Sequence, residues 1–330
     1  MKLTDKTAIY FSKTKKIAEE KCSDKIITLQ FFQRHENVVL CGINEVLDLL
    51  ENNTDTSKYS IKYMPEGSIV RSKEVVLELE GPYHLFGIYE GLIDGILARQ
   101  SSIATNARNI KIAAKNKHVV SMADRADHYR NQESDAYAIE CGGIVDHATL
   151  LAAKHNIQHA FGSMPHALIQ MCEGDLIKAC EFYSELFPES DLVALVDFNN
   201  DVITDTLKVL NKFGSKLKAI RVDTSPNMKD KMFEEYEDEY GVNPEQIKRL
   251  KRALVARGGE HVKIIVSSGF NADKIHWFEQ EKTPVDIYGV GAALLKINIS
   301  FSADATKVND KKIAKAGRFY SFNEKLITYN

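Results

Sequence analysis

The sequence lacks the features that mark secreted, membrane-bound or nucleic-acid-binding proteins. Its five cysteines are odd in number and scattered, which argues against a disulfide framework and a structural zinc knuckle. No uncharged apolar stretch reaches the about 20 residues that span a bilayer, and the N-terminal segment has no apolar signal-peptide core. The 43 basic and 46 acidic residues leave no basic excess for nucleic acid or membrane surfaces. We expect a cytoplasmic protein that binds neither.

The length and composition are those of a globular protein with more than one domain. The chain has 330 residues, of which 44% are hydrophobic and 27% charged. Near residue 116 the sequence changes to short apolar runs separated by helical stretches, and a basic tail ends in the strand-like LITY. We therefore predict an N-terminal α/β domain over 1–115, a second domain over 116–295, and a tail over 296–330 that returns to the first domain.

After residue 116, short apolar runs alternate with helical stretches. Continuous Val/Ile runs with helices between them are typical of buried parallel strands, so the pattern favours a doubly wound sheet or an α/β barrel. Residues at the carboxyl ends of such strands carry function. The predicted strands are His118–Met122, Ile139–Gly142, His159–Gly162, Val193–Asp197, Ala219–Asp223, Val262–Ser267 and Val285–Gly289.

Glycines follow the last two predicted strands. Ser268 and Gly269 follow one strand, and Gly289 and Gly291 lie at the end of the next. A strand–glycine–helix junction aims backbone N–H groups at an anion, of which phosphate is the commonest. Glycine is also used in tight turns for steric reasons alone. Two consecutive junctions favour a phosphate site.

Charged residues end other strands. Arg221 and Asp223 lie two residues apart and point to the same side of their strand, where they form an ion pair or bind phosphate and sugar hydroxyls. Asp197 ends the preceding strand. His166 follows Pro165 at a passage from strand to helix, where it is either a surface residue or a functional imidazole.

Several segments, taken in order, resemble the nicotinate phosphoribosyltransferase family. The matching segments cover most of residues 25–295 and include ELEGPYHLFGIYEGLIDGILARQSSIAT, ADRADHYR, ECGG, FGSMPHALIQ, ALVDFNN, AIRVDTS, IIVSSGF and DIYGVGAAL. The resemblance implies an irregular α/β barrel with an N-terminal α/β sandwich domain completed by the C-terminal tail. It also implies a homodimer whose partner covers the site.

The implied reaction joins nicotinate to phosphoribosyl pyrophosphate and gives nicotinate mononucleotide and pyrophosphate for NAD biosynthesis. Mg²⁺ is an implied cofactor, and many members couple the reaction to ATP hydrolysis. The chemistry needs preorganised charges to stabilise the departing pyrophosphate and a cationic sugar carbon. An arginine is the side chain that best clamps the ring carboxylate.

The resemblance also assigns roles to individual residues. His166 matches the residue that ATP-coupled members phosphorylate, and Asp197 matches its carboxylate partner. The other implied assignments are Arg125, His128 and Tyr10 for nicotinate and the donor, Arg221, Asp223 and Thr224 for the donor's phosphate and ribose, and Ser268, Gly269, Gly289 and Gly291 for the 5′-phosphate. No residue is assigned as a metal ligand.

The sequence departs from the family at three points. One is GSMPH around His166, which replaces a Gly-Thr-rich segment and leaves ATP coupling open. Met122 stands where the family has an aromatic residue three positions before the arginine, and no cysteine follows Cys180, so the C-terminal four-cysteine module of some members is missing. Nicotinamide and quinolinate therefore remain alternative acceptors. A sensor that binds phosphoribosyl pyrophosphate or a pyridine nucleotide without turnover is the alternative outside enzymes.

Overall fold

The computed structural model of the protein describes residues 2–154, 156 and 158–329. The chain divides into two compact units. The first contains residues 1–108, 137–143 and 296–330, and the second contains 109–136 and 144–295. The first unit is thus assembled from three separate parts of the sequence.

The elements alternate along most of the chain. The β-strands are β1 (Ile26–Gln33), β2 (Val38–Val39), β3 (Ser60–Tyr63), β4 (Ile69–Val70), β5 (Val75–Pro82), β6 (His118–Ser121), β7 (Asp146–His147), β8 (Leu192–Leu195), β9 (Leu217–Val222), β10 (Lys263–Val266), β11 (Ile287–Val290), β12 (Phe301–Val308) and β13 (Ile327–Thr328). The α-helices are α1 (Ile9–Lys21), α2 (Ile43–Asn53), α3 (Tyr83–Phe86), α4 (Glu90–Ala113), α5 (Gln132–Cys141), α6 (His166–Met171), α7 (Leu176–Leu186), α8 (Val202–Phe213), α9 (Pro244–Val255) and α10 (Ala272–Gln280).

The first unit is built on a five-stranded sheet in the order β12-β1-β5-β3-β13. Strand β1 pairs antiparallel with β5, with Leu29 opposite Leu79, and on its other edge with β12, with Phe31 opposite Ala303. Leu29, Phe31 and Leu79 are buried in one apolar core with residues of α2 and α4. Strands β12 and β13 from the C-terminal tail form the two edges of this sheet. This confirms the prediction that the tail completes the N-terminal domain.

The second unit contains six parallel strands in the order β7-β6-β11-β10-β9-β8. The sheet is curled into a half-barrel, which confirms the predicted irregular α/β barrel. One apolar cluster gathers a residue from each of five strands, namely Val120, Val193, Ala219, Ile265 and Ile287. Because side chains alternate along a strand, the residues two positions further along each strand lie on the same face of the sheet, nearer its carboxyl end.

Two of the strands predicted after residue 116 are wrong. The segment Ile139–Gly142 is the end of α5, where Ala136, Ala138 and Ile139 are buried at a helical spacing. The amide of Gly142 donates to the carbonyl of Ala138, and Gly143, at φ 95°, ends the helix. The segment 159–162 forms only a single parallel bridge, between Ala160 and His147.

A membrane span requires a helix of sufficient length and hydropathy. Among the described residues, even α4, with 24 residues, is not apolar enough to cross a bilayer.

Candidate active site at the strand ends

The candidate site lies at the carboxyl ends of β8, β9 and β10 in the second unit. Arg221 is the fifth residue of β9, Asp223 follows that strand, and Ser267 follows β10. Asp197 follows β8 and Val196. The register of the sheet pairs Leu195 with Arg221 and Arg221 with Ile265. The polar residues two positions further on, Asp197, Asp223 and Ser267, are therefore close neighbours.

A histidine and a buried carboxylate meet at one side of the site. Nε2 of His166 lies 3.1 Å from Oδ2 of Asp197, whose side chain is only 6% exposed while that of His166 is 44% exposed. An ionised carboxylate can only accept, so Nε2 carries the proton of this contact, and in the neutral tautomer of the ring Nδ1 keeps its lone pair. Burial raises the pKa of Asp197, and the imidazole opposes that rise.

Arg221 brings a positive charge beside these carboxylates. Burial lowers the pKa of its guanidinium, whereas the charges of Asp223 and Asp197 raise it and the charge of Arg125 lowers it further. Four of the predicted site residues are therefore within electrostatic reach of one another. Nη2 of Arg221 donates to the carbonyl of Met164 at 3.2 Å, which helps to orient the guanidinium.

Two buried polar atoms of this cluster have no hydrogen-bond partner among the described residues. They are Nε of Arg221 and Oδ1 of Asp197. An unmade hydrogen bond on a buried donor or acceptor costs about 1–3 kcal/mol. One donor and one acceptor left open in this way suit a ligand that carries both anionic oxygens and hydroxyl groups.

Asp223 is held by a serine that the sequence analysis did not assign a role. Oγ of Ser267 donates to Oδ1 of Asp223 at 2.7 Å, which orients the carboxylate. Thr224, by contrast, is fully buried, and its hydroxyl oxygen accepts from Nε2 of Gln246 at 3.1 Å. Asp223 therefore belongs to the cluster, whereas the side chain of Thr224 is buried against Gln246.

The turn between β10 and α10 has the predicted strand–glycine–helix form. Ser268 and Gly269 both take left-handed backbone conformations, at φ 76° and 71°, and open space surrounds the position of a Cβ on Gly269. Asn271 caps the helix by accepting from the amide of Lys274 at 2.8 Å. Successive left-handed residues before a capped helix are a geometry that binds phosphate.

Lys274 is a residue of this turn that the sequence analysis missed. Its Nζ donates to the carbonyl of Ser268 at 3.2 Å and lies 4.5 Å from the centre of the Phe270 ring. The only signal in the sequence was its place in the first turn of a helix, which many surface lysines share. Folding of the turn brings the ammonium back over the loop.

The partial burial of Lys274 predicts a measurable pH dependence. Burial lowers its pKa to about 8, and the unfolded chain keeps the proton up to a pKa of about 10.4. Between these values the unfolded state binds more protons, so the free energy of unfolding rises with pH and the cost of the buried charge is relieved. Urea unfolding of wild type and Lys274→Met at pH 7.5 to 10 measures this. Equal slopes in the two proteins would contradict it.

Gly289 and Gly291 make room for a neighbouring strand. A Cβ on Gly289, which is buried within β11, would lie 2.6 Å from Sδ of Met122, and a Cβ on Gly291 would lie 3.0 Å from the carbonyl oxygen of Met122. Close packing of Met122 thus accounts for both glycines. A contact of either with phosphate stays a prediction.

The loop after β6 carries Arg125 and His128. Both residues are exposed. Nδ1 of His128 accepts from the amide of Arg130 at 3.2 Å, and its ring stacks on Tyr129 with centroids 4.7 Å apart. The ring of His128 thus makes its contacts within its own loop. The charge of Arg125, by contrast, acts on Arg221 and lowers the pKa of that guanidinium. Tyr10 is exposed on α1, in the first unit.

The comparisons with known proteins agree with this fold. Residues 8–101 match the family described as quinolinate phosphoribosyl transferase, N-terminal domain. A nicotinate phosphoribosyltransferase of Mycobacterium tuberculosis is 25% identical over 236 residues, which are 70% of this chain and 47% of that protein. Its counterpart in Bacillus subtilis is 24% identical over 238 residues, or 70% and 45%. This chain spans about half the length of these two relatives.

Solved structures extend the likeness over nearly the whole chain. A nicotinate-nucleotide pyrophosphorylase of Pyrococcus furiosus has a TM-score of 0.84 at 34% identity and covers 96% of this chain, which covers 78% of it. Human nicotinic acid phosphoribosyltransferase, at 16% identity, has a TM-score of 0.71 over 96% of this chain and 77% of its own and supports the fold alone.

A half-barrel of parallel strands with charged residues at the strand ends, together with an antiparallel sheet, is the arrangement of the type II phosphoribosyltransferase fold. The chain belongs to the nicotinate phosphoribosyltransferase family, to which the quinolinate enzymes are related.

Proposed function

We propose that the protein transfers the phosphoribosyl group of phosphoribosyl pyrophosphate to nicotinate. The observation that carries the proposal is the half-buried Arg221 beside Asp197 and Asp223, with Nε and a carboxylate oxygen left open. An anionic, hydroxyl-bearing donor satisfies both atoms. The names of the relatives, all nicotinate phosphoribosyltransferases or related pyrophosphorylases, support the same reaction.

The reaction asks for electrostatics rather than for a base. The neutral pyridine nitrogen attacks C1 of the ribose, the bond from C1 to the pyrophosphate oxygen breaks, and pyrophosphate leaves with that electron pair. No proton moves. Asp197 and Asp223 stabilise the positive charge that develops on the sugar carbon, and Arg221 stabilises the negative charge on the phosphates. Holding both charges in place beforehand avoids reorganisation during the reaction.

The donor set also suits Mg²⁺, a cofactor that we propose enters with the pyrophosphate. Mg²⁺ prefers oxygen ligands and is usually bound by one or two carboxylates together with substrate phosphates. Oδ1 of Asp197 is an open carboxylate oxygen, and Asp223 engages Ser267 through only one of its two oxygens. When bound, the ion would neutralise the charge on the leaving pyrophosphate.

We expect Arg125 to clamp the carboxylate of nicotinate. Replacing Arg125 by alanine removes a charged hydrogen bond of about 1.5–3 kcal/mol, so KM for nicotinate should rise roughly 10- to 100-fold. Steady-state kinetics with varied nicotinate measure the change. The matched control is Arg130→Ala, which removes an arginine of the same loop that lies over the Tyr129 ring. An unchanged KM for Arg125→Ala, or an equal rise in the control, would reject the clamp.

We propose that ATP is a co-substrate through His166. Its Nδ1 lone pair attacks the γ-phosphorus, the bond to the ADP oxygen breaks, and ADP leaves, so a phosphohistidine forms. Asp197 supports this role because it accepts from Nε2 and stabilises the positive charge that the ring gains when Nδ1 is phosphorylated.

The test of ATP coupling is His166→Ala. We expect this variant to lose stimulation by ATP and to keep slow transfer without ATP, because the other charges of the site remain. The ratio of rates with and without ATP is the readout. His261→Ala is the control, since this exposed histidine precedes the amino end of β10 and is not part of the cluster at the carboxyl ends. Equal stimulation in His166→Ala would refute the phosphohistidine.

The acceptor is tested directly by pyrophosphate release. Purified protein with phosphoribosyl pyrophosphate and Mg²⁺ receives nicotinate, nicotinamide or quinolinate in turn, each with and without ATP. We expect release with nicotinate. Quinolinate is the second candidate, because residues 8–101 match the quinolinate family, and its two carboxylates would need a second cation. Binding of the donor without release would instead indicate a sensor.

The assembly and the location stay predictions. We propose a homodimer in which a second copy supplies Tyr10 to stack on the pyridine ring, and a cytoplasmic location. Sedimentation of wild type and kinetics of Tyr10→Ala would test the first of these. Small molecules, rather than nucleic acid, are the proposed partners.

A further inference from the structure

We propose that Cys41, Glu66 and Cys141 form a binding site for one Zn²⁺ ion in the first unit. Two sulfur atoms and a carboxylate oxygen of these residues lie within 4.8 Å of one another. All three residues belong to the first unit, which contains none of the proposed catalytic residues. The inference is independent of the proposed reaction.

The three residues come from distant parts of the sequence. Cys41 lies between β2 and α2 and is fully buried. Glu66 lies in the turn between β3 and β4, and Cys141 is the last residue of α5. Sequence spacing could not reveal the group, because zinc sites are recognised from ligands that come in close pairs along the chain.

The carboxylate is held in position by backbone amides. Oε1 of Glu66 accepts from the amide of Gly42 at 2.5 Å, and Oε2 accepts from the amide of Asn44 at 2.9 Å. These amides belong to the N-terminus of α2, whose dipole favours negative charge. Hydrogen bonds of this kind orient a metal ligand, and each carboxylate oxygen keeps a second lone pair for the ion.

The two thiols lie close enough to bind the same ion, because their sulfur atoms are within 4.8 Å of each other. The Cys41 thiol also donates to Oε1 of Gln100 at 3.6 Å. A dication would displace the protons and neutralise the thiolates together with Glu66.

Zinc fits this donor set better than the other common ions. Mg²⁺ and Ca²⁺ take oxygen ligands, while soft thiolates select zinc or copper(I). Three protein ligands leave a fourth tetrahedral position, which water can fill because Glu66 and Cys141 are only half-buried. A disulfide between the two cysteines is the alternative to a metal site. A disulfide would not explain why a carboxylate oxygen of Glu66 lies beside both sulfur atoms.

The first experiment measures metal content. Full-length protein is purified without chelator, dialysed against buffered Zn²⁺ and then against buffer, and analysed by inductively coupled plasma mass spectrometry. We expect about one Zn²⁺ per chain in wild type and in Cys180→Ser, which changes a buried cysteine of the second unit. Cys41→Ser and Cys141→Ser should lose the ion. Chelator competition should show at least about tenfold weaker binding for Glu66→Gln.

A second readout covers variants that fail to fold. Wild type loaded with Co²⁺ in place of Zn²⁺ should show a thiolate-to-cobalt charge-transfer band, which Cys141→Ser should weaken while its circular dichroism stays native. Three results would overturn the proposal. They are wild type without bound zinc, zinc retained in both cysteine variants, and a Cys41–Cys141 disulfide found in peptide maps of metal-free wild type.

Discussion

Replacing Arg221 by methionine is expected to lower kcat/KM for phosphoribosyl pyrophosphate by roughly 30-fold to several thousand-fold. In the proposed complex Arg221 pairs with a phosphate of the donor. Losing one partner of such a desolvated, hydrogen-bonded charge pair costs about 2–5 kcal/mol, and each 1.36 kcal/mol is tenfold in rate. Methionine keeps much of the side-chain volume, so the loss is mainly that of charge and of the open Nε donor. Pyrophosphate release at varied donor concentration measures the effect.

The control for this variant is Arg252→Met. Arg252 is on α9 of the same unit, its side chain is 66% exposed, and its bond to Glu245 is a surface ion pair. Such pairs contribute about 0–1 kcal/mol to stability, so activity should stay at the wild-type level. A folded Arg221→Met protein with unchanged kcat/KM would show that Arg221 has no part in donor binding.

Gly142→Val is expected to destabilise the protein by about 3 kcal/mol, which is the upper end for overpacked sites. A Cβ at this position would lie 2.3 Å from the carbonyl oxygen of Ala104 and 2.5 Å from the Cβ of Ala107, both on α4. A backbone oxygen in a helix cannot move aside as a flexible side chain would. Urea unfolding followed by circular dichroism measures the loss.

Gly95→Ala is the matched control for this prediction. Gly95 also belongs to α4, but nothing lies within 4 Å of its Cβ position. Alanine is the better helix former by up to about 1 kcal/mol, so this variant should be as stable as wild type or more so. If Gly142→Val unfolds at the wild-type urea concentration, the close approach of α5 to α4 is wrong.

Much of the candidate site could be predicted because parallel strands bring their carboxyl ends together. Asp197, Arg221 and Asp223 each end an apolar run, and alternation along the strand indicates which residues share a face. The contact of His166 with Asp197 was available only through the resemblance to the family, since a lone histidine after a proline has many uses. The structure then supplies the distance.

Other features depend on packing that a single segment does not encode. The buried run Ala136 to Ile139 suits a strand or a helix equally, and only its helical burial pattern separates the two. Thr224 is adjacent to Asp223 but turns to Gln246 because α9 packs there. Lys274 and the group of Cys41 with Cys141 depend on chain reversals that no short spacing reveals.

The position of β12 beside β1 also has a consequence for synthesis on the ribosome. Strand β1 ends at Gln33, and its neighbour β12 begins only at Phe301. At about 5–20 residues per second, roughly 10–50 s separate the emergence of the two strands. During that time β1 has one unpaired edge and buries Phe31 only in part, a state that invites pairing with another nascent chain. The growing polypeptide should therefore depend on chaperones until β12 has been made.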